Sequence, residues 1–374
     1  MKKTIVGILI FLLLVILGLA AYYFLFRPEQ LADIFSPPDD SGPATSSSTP
    51  TSPLVQLTAD PVVAYLPQNG FILAVGTDGR VFEARSDKNK ILNQNVLPNL
   101  QSASFSKDGS YILAKFGSRQ EPLWSIFNLA SSSWTTVENI KITDAVWSPE
   151  KNEIAYIEKT NSGYTLGILD ARGNTDPKTK TASFTRRTLE RFSLPDMRLL
   201  WISPNEIIVQ NIPSKFAAST VLKYKIKEKM FSVLAQTTSA HTTWSKDGSR
   251  GLLFAFDTTY KLTAVDNAGI PIRELNIIAL PEKCAFGDQL LYCLGPQDEN
   301  ARRALLPDDY YKKTLPITDL LYEIDVESGS IRALLTGAEP IEDGTRPAIF
   351  NNELFFIESG YGQNRLVKFS LPKK

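Results

Sequence analysis

The chain has 374 residues, 43% hydrophobic and 21% charged, the make-up of a folded protein and long enough for two or three ordinary domains or one large domain of repeats. Its 40 Lys and Arg balance 40 Asp and Glu, so no surplus of positive charge points to nucleic acid or to a broad anionic surface. One histidine and 2 cysteines argue against a multi-histidine or cysteine-built metal centre.

Residues 1–3 form a short stub carrying Lys2 and Lys3. Thr4 to Phe26 follows as 23 residues without a charge, TIVGILIFLLLVILGLAAYYFLF. At about 1.5 Å per residue this run crosses a hydrocarbon layer of about 30 Å, and Tyr22 and Tyr23 sit where an aromatic belt lies. Gly18-Leu19-Ala20 has the small-x-small pattern of a signal-peptide cleavage site. The apolar run continues past it through Tyr22-Tyr23-Phe24-Leu25-Phe26, which favours a retained single-pass transmembrane helix, residues 4–26. The lysines keep the stub cytoplasmic and place the rest of the chain on the extracytoplasmic side of the membrane. Residues 27–53 read as a juxtamembrane segment and linker. Pro28 suits the first position of a short helix. Ser36–Pro53 holds five Pro and nine Ser or Thr, so it cannot bury apolar surface and is expected to be a semi-extended tether reaching about 55 Å.

From residue 54 to 374 one phrase organises the chain. Phe105-Ser106-Lys107-Asp108-Gly109-Ser110 recurs as Trp244-Ser245-Lys246-Asp247-Gly248-Ser249. Weaker copies share an aromatic anchor, at Tyr65, Phe105, Trp147, Trp201, Trp244, Phe286 and Phe350, mostly 40 to 43 residues apart with two longer steps. The residue two before the anchor is usually small, and turn residues follow, such as Asn69-Gly70 and Ser148-Pro149. An apolar run such as Leu252-Leu253-Phe254-Ala255-Phe256 comes next. A third strand with clearer alternation, such as Leu321-Tyr322-Glu323-Ile324-Asp325, and a more polar fourth complete each copy. Four antiparallel strands in about 40–45 residues is the unit of a β-propeller blade. The expected fold is therefore all-β, a seven-bladed β-propeller of four-stranded antiparallel blades, preceded by one transmembrane helix.

These residues resemble the WD-type repeat of the TolB and dipeptidyl-peptidase propeller class, in which an aromatic-Ser-Pro-Asp-Gly hairpin marks each blade. Trp147-Ser148-Pro149 keeps the proline and two copies replace it with lysine. The resemblance covers residues 54–374 and implies a fold. It implies little about function, since such blades serve enzymes, scaffolds and receptors alike. The hydrolase domain of those peptidases and the small α/β domain of TolB have no room here.

Leu54–Thr58 is strand-like, while the last copy stops at its third strand, Leu366–Phe369. The N-terminal strand is therefore expected to complete the final blade from its outer edge. Cys284 and Cys293 flank the Gly287-Asp288-Gln289 turn, and a two-residue turn at Asp288-Gln289 sets them opposite each other. They read either as a disulfide, which an extracytoplasmic location permits, or as two buried thiols. His241 precedes an anchor on an innermost strand and reads as structural or channel-lining. The longest insertion, Gly295–Pro316, joins the second and third strands of the sixth copy. It packs Asp308, Asp309, Tyr310, Tyr311, Lys312 and Lys313 together, either as a ligand-binding loop or as a loop that tucks its tyrosines against a neighbour. Ala171–Thr181 is expected on the opposite face as a solvated loop.

No phosphate loop, HExxH, CxxC or EF-hand pattern is present, so no cofactor and no catalytic constellation is assigned. The absence of Asn-x-Ser/Thr sequons favours a bacterial source. The leading functional expectation is a monomeric, non-enzymatic module binding a protein, peptide or envelope glycan on its loop-rich face. The alternatives are a lyase- or cyclase-type enzyme using the central channel, or a structural envelope component. Carboxylates and His241 converging with shifted pKa values at one channel mouth raise the enzyme; a flat aromatic face raises the binder.

Overall fold

The computed structural model describes residues 53–85, 88–175, 182–296, 304–315, 317–335, 340–360 and 364–372, all within one compact unit, Ser52–Lys374. The expected membrane span and nearly all of the tether lie outside these residues. Among the described residues no helix is long and apolar enough to cross a membrane.

The fold is all-β. Its first sheet runs outward through Val62–Gln68, Phe71–Gly76, Val81–Ala84 and Lys90–Ile91. The second uses Ser102–Phe105, Tyr111–Gly117, Pro122–Asn128 and Ser133–Thr136. The third uses Ile142–Trp147, Glu153–Thr160, Gly163–Asp170 and Arg186–Phe192. Next comes a seven-stranded sheet from Met197–Ser203 to Pro271–Leu275. It is continuous because one 15-residue strand, Met230–Trp244, pairs on one side with Ala218–Lys225 and on the other with Arg250–Phe256. Strands Cys284–Phe286, Leu290–Pro296, Thr318–Asp325 and Ile331–Ala333 follow, with Ile341–Glu342 pairing to the third of them. The last sheet holds Gly344–Phe350, Glu353–Glu358 and Arg365–Ser370, and its outermost strand is Leu54–Gln56. Leu54 stands opposite Phe369, and Leu57 N–H extends the pairing to Leu366 O at 2.8 Å. The N-terminal strand therefore closes the final sheet from outside, as the leftover strand at each end of the sequence suggests.

Hydrophobic clusters lie between neighbouring sheets and follow one another around a closed path. One joins Leu113 and Trp124 of the second sheet to Trp147 and Ile154 of the third. Another joins Ile157 and Leu166 to Met197 and Val209. The cluster of Val62, Ala74 and Phe82 with Ile357 and Leu366 brings the first sheet against the last. A single small sheet has no means of covering both its faces; packed against two neighbours, each buries both. Fully burying a side chain such as Phe254 or Phe356 contributes about 2–3 kcal/mol.

The repeated phrase forms the same turn twice. Ser106 Oγ–H and Ser110 N–H both donate to Asp108 Oδ1, at 2.7 and 2.9 Å. Ser245 Oγ–H and Ser249 N–H do the same to Asp247 Oδ1, at 2.6 and 3.1 Å. Gly109 and Gly248 take φ of 73° and 69°, a conformation that costs a residue with a Cβ. Anchors reach back to the preceding sheet: Trp147 Nε1–H donates to Ser104 O at 3.0 Å, and the Tyr65 hydroxyl lies 2.7 Å from Phe355 O. Most of the expected solvated loop, residues 176–181, lies outside the described residues. Ala171 is buried, and Asn174–Thr175 pairs with Ala182–Ser183 in a small hairpin.

Candidate functional site

The innermost strand of each sheet starts on the same face of the molecule, and irregular backbone gathers there. Bulges interrupt Val62–Gln68 at Val63, Ile142–Trp147 at Thr143, Met230–Trp244 between Thr238 and His241, and Gly344–Phe350 between Thr345 and Ala348. Asn139, Asp196, Ser239, Asp343 and Arg346 hold positive φ on this face. Bulges re-aim side chains, and strained backbone of this kind clusters where a fold does work.

The described part of the long insertion, 304–315, folds over this mouth. Its short helix, Asp308–Tyr311, follows Leu306-Pro307. The helix brings Tyr311 to His241: the Tyr311 oxygen is 3.2 Å from His241 Nδ1 and donates to Glu282 Oε1 at 2.9 Å. His241 Nε2 stands 3.0 Å from Glu282 Oε2. Because the tyrosine proton goes to Glu282, its oxygen is left to accept from Nδ1–H. Each imidazole nitrogen thus faces an oxygen of the triangle. The Glu282 carboxyl feels burial pushing its pKa up, but the His241 charge and hydrogen bonds outweigh this and hold it at about 2. Burial and the Glu282 charge push the Tyr311 phenol well above its ordinary value. Arg198 lies over the Tyr311 ring, 5.3 Å from its centre.

A second cluster adjoins the first. Lys283 Nζ is 2.7 Å from Asp319 Oδ2 and 3.1 Å from Asp343 Oδ1, and 5.0 Å from the centre of the Tyr310 ring. Asp319 also accepts Gly344 N–H at 2.8 Å. Its burial raises its pKa to about 6 in spite of Lys283. Between sheets two, three and four, Asp144 accepts Leu199 N–H at 2.7 Å, and burial raises it to about 6 against the pull of Lys115 and Arg198.

Among the residues singled out from sequence, His241, Tyr310 and Tyr311 come together at this mouth. Asp308 instead ties the insertion to the loop before Ala218–Lys225, accepting Ser214 Oγ–H at 3.0 Å and Lys215 N–H at 2.8 Å. Asp309 accepts Leu305 N–H at 2.8 Å within its own loop, and Lys312 is exposed away from the cavity. Sequence reading missed Glu282, Lys283, Asp319, Asp343 and Arg346. Pro281-Glu282-Lys283 immediately precedes the innermost strand Cys284–Phe286, so two opposite charges at the entry to that strand were the available signal. Beside these groups a cavity of ≈ 410 Å³ is lined by Glu282, Asp343, Tyr310, Tyr311, Lys313 and Arg346 together with the apolar Val62, Val63 and Ile357. Cys284 and Cys293 stand opposite each other across their hairpin, sulfurs bonded at 2.11 Å. Among the described residues no group of three or more His, Cys, Asp or Glu could hold a metal ion.

No family model and no curated protein sequence matches this chain. Its backbone is similar to solved β-propellers. The propeller domain of Cps50 (Swd1) from Myceliophteria thermophila aligns at TM-score 0.54 and 12% identity, covering 85% of this chain and all (100%) of that one. An oligogalacturonate lyase in complex with manganese aligns at 0.53 and 11%, covering 81% and 83%. The propeller of the trilobed protease from Pyrococcus furiosus aligns at 0.50 and 12%, covering 81% and 92%. At this identity the likeness defines the fold: the described unit is a β-propeller.

Proposed function

We propose that this chain is a membrane-anchored, extracytoplasmic binding module, a seven-bladed propeller that holds a ligand at its insertion-covered mouth without transforming it. The count follows if the seven-stranded sheet is two blades fused through Met230–Trp244. Residues 4–26 are the anchor, 27–53 the tether and 54–374 the monomeric propeller. The Ser-x-Asp-Gly turns support the likeness of its blades to the TolB and dipeptidyl-peptidase repeat class.

One observation carries the binding reading: the acids and bases at the mouth are spent on one another. His241, Glu282 and Tyr311 pair with one another, as do Lys283, Asp319 and Asp343, although the buried Glu282 Oε2 and Asp319 Oδ1 find no hydrogen-bond donor among the described residues. Glu282 is pulled down to about 2 and Tyr311 pushed up, away from the neutral range in which a general acid or base works best, while Asp319, raised to about 6, is held by Lys283 and Gly344 N–H. Such groups lock the insertion onto the mouth. The rival enzyme reading draws on the convergence itself, since His241 and Glu282 meet beside a cavity with shifted pKa values. Passing an envelope extract of the source cell over immobilised residues 54–374 tests the module. A partner retained by the wild type and lost with Tyr310→Ala supports it. Release of a chemically altered product instead sinks it. Alkaline extraction of membranes tests the anchor: recovery of the full chain in the soluble fraction would rule it out.

A further inference from the structure

We propose that the Arg346 guanidinium receives the free C-terminal carboxylate of a peptide, whose last residues occupy the cavity beside it. This rests on the binding reading above and gives that reading a ligand class.

Arg346, unlike Lys283 and His241, forms no ion pair among the described residues, a property it shares at this mouth with Arg198 and Lys313. Lys283 has Asp319 and Asp343, and His241 has Glu282. No carboxylate among the described residues lies at ion-pair distance from Arg346. Its one hydrogen bond there runs from Nη1–H to Ala103 O at 2.8 Å. Ala103 belongs to the second sheet and Arg346 to the last, so the side chain passes over Tyr65 of the first sheet to span part of the channel. Solvent reaches it, yet protein surrounds it closely enough that burial lowers its pKa. The backbone is arranged to hold it there. Arg346 sits in the bulge between Thr345 and Ala348 with φ of 54°, and the Tyr65 hydroxyl lies 2.6 Å from its carbonyl oxygen. A non-glycine residue in this conformation costs of order 1–3 kcal/mol and persists where its surroundings impose it.

A guanidinium presents five N–H donors in a planar fork that matches a carboxylate. With one donor on Ala103, the fork retains donors for a guest. The cavity of ≈ 410 Å³ falls within the range of small-ligand clefts, about 300–1,000 Å³. Val62, Val63 and Ile357 give it an apolar wall, Thr345, Ser359 and Asn364 add polar groups, and its two carboxylates, Glu282 and Asp343, are already paired with His241 and Lys283. An apolar terminal side chain fits the wall, and the polar groups suit peptide amides. An acidic sugar, with hydroxyls around its rim, would leave the apolar wall unused.

The test immobilises the full chain in detergent micelles and offers it three probes: a tetrapeptide pool with free C-terminal acids, the same pool amidated, and an oligogalacturonate. Mass spectrometry reads what is retained. The expected result is at least a 10-fold preference for the free-acid pool, lost in Arg346→Gln and reduced in Arg346→Lys, which keeps the charge but not the fork. Circular dichroism checks that both variants fold. The acid-against-amide comparison on the wild type decides the matter should they fail to fold. Equal retention of both peptide pools overturns the carboxylate site while leaving a binding module standing. Retention of the oligogalacturonate alone, or of none of the probes, overturns the peptide ligand; the envelope extract judges the module separately.

Discussion

At the scale of single residues, the mouth is held by groups whose protonation is coupled to folding. Tyr311→Phe removes the donor to Glu282 Oε1 and the acceptor facing His241. It should cost about 1–3 kcal/mol, the penalty for leaving buried polar atoms unpaired, read as a lower urea midpoint with unchanged slope. The carboxylates predict a pH profile of stability. Glu282 titrates at about 2 in the folded chain against an ordinary 4.5, so as pH falls the unfolded chain takes up the proton first. Its contribution is complete above about 4.5 and disappears toward 2. Asp144 and Asp319 titrate at about 6 when folded against an ordinary 3.8. Here the folded chain binds the proton first, so stability rises as pH falls from 6 toward 4. Together these groups favour the fold most near pH 4–5. Urea unfolding between pH 3 and 8 should show Glu282→Gln flattening the acid limb and Asp144→Asn the limb between 4 and 6; curves parallel to wild type would refute the assignment. The cysteine pair makes a simpler prediction. Cys284 and Cys293 should resist alkylation until reduced. Replacing both with alanine should lower stability by about 2–3 kcal/mol, the chain-entropy value for so short a loop.

At the scale of elements, the Ser-x-Asp-Gly-Ser turn shows why part of this fold was legible. Its geometry is local: Asp108 and Asp247 each gather donors from two serines within two residues, so five letters specify it wherever they occur. The two copies differ only in what lies beyond them. A Cβ on Gly248 would fall 2.5 Å from Ile202 O, a backbone atom that cannot yield, whereas one on Gly109 would meet Leu66 Cδ2 at 2.9 Å and Gln68 Nε2 at 3.0 Å, both ends of flexible side chains. Both substitutions force positive φ on alanine, at about 1 kcal/mol. Gly248→Ala should therefore destabilise by clearly more than Gly109→Ala, by an extra 1–3 kcal/mol on the order of overpacking costs. Equal losses in parallel denaturant titrations would mean that local φ alone matters. Elements without a local code were not legible. Nothing between Met230 and Trp244 marks the point where one blade's outer strand becomes the next blade's inner strand, because the chain crosses with a bulge and no turn. The helix Asp308–Tyr311 is a single turn, too short for any periodicity to register.

For the whole molecule, the order of strands was readable because each copy repeats it, and closure because one strand was left over at each end. The site was only half readable. Tyr310, Tyr311 and His241 stood out as an unusual cluster and a lone histidine, but Glu282 comes from the turn before Cys284–Phe286 and Arg346 from Gly344–Phe350, and no spacing in a linear chain records that juxtaposition. Closure itself yields the last prediction. The strand that completes the final sheet is Leu54–Gln56. Leu54 packs on the cluster around Leu354 and Phe369, and Leu57 on the one joining the first and last sheets. A chain beginning at residue 59 loses both leucines and the pairing with Arg365–Ser370, while one beginning at 53 keeps them. The shorter chain should be less stable by about 2–4 kcal/mol, one to two partly buried leucine side chains plus the lost pairing. It should also self-associate as concentration rises, because Arg365–Ser370 becomes an uncovered edge. Denaturant midpoints and sedimentation of the two chains measure these effects; equal stability and equal monomeric behaviour would show that the N-terminal strand decorates the propeller without closing it.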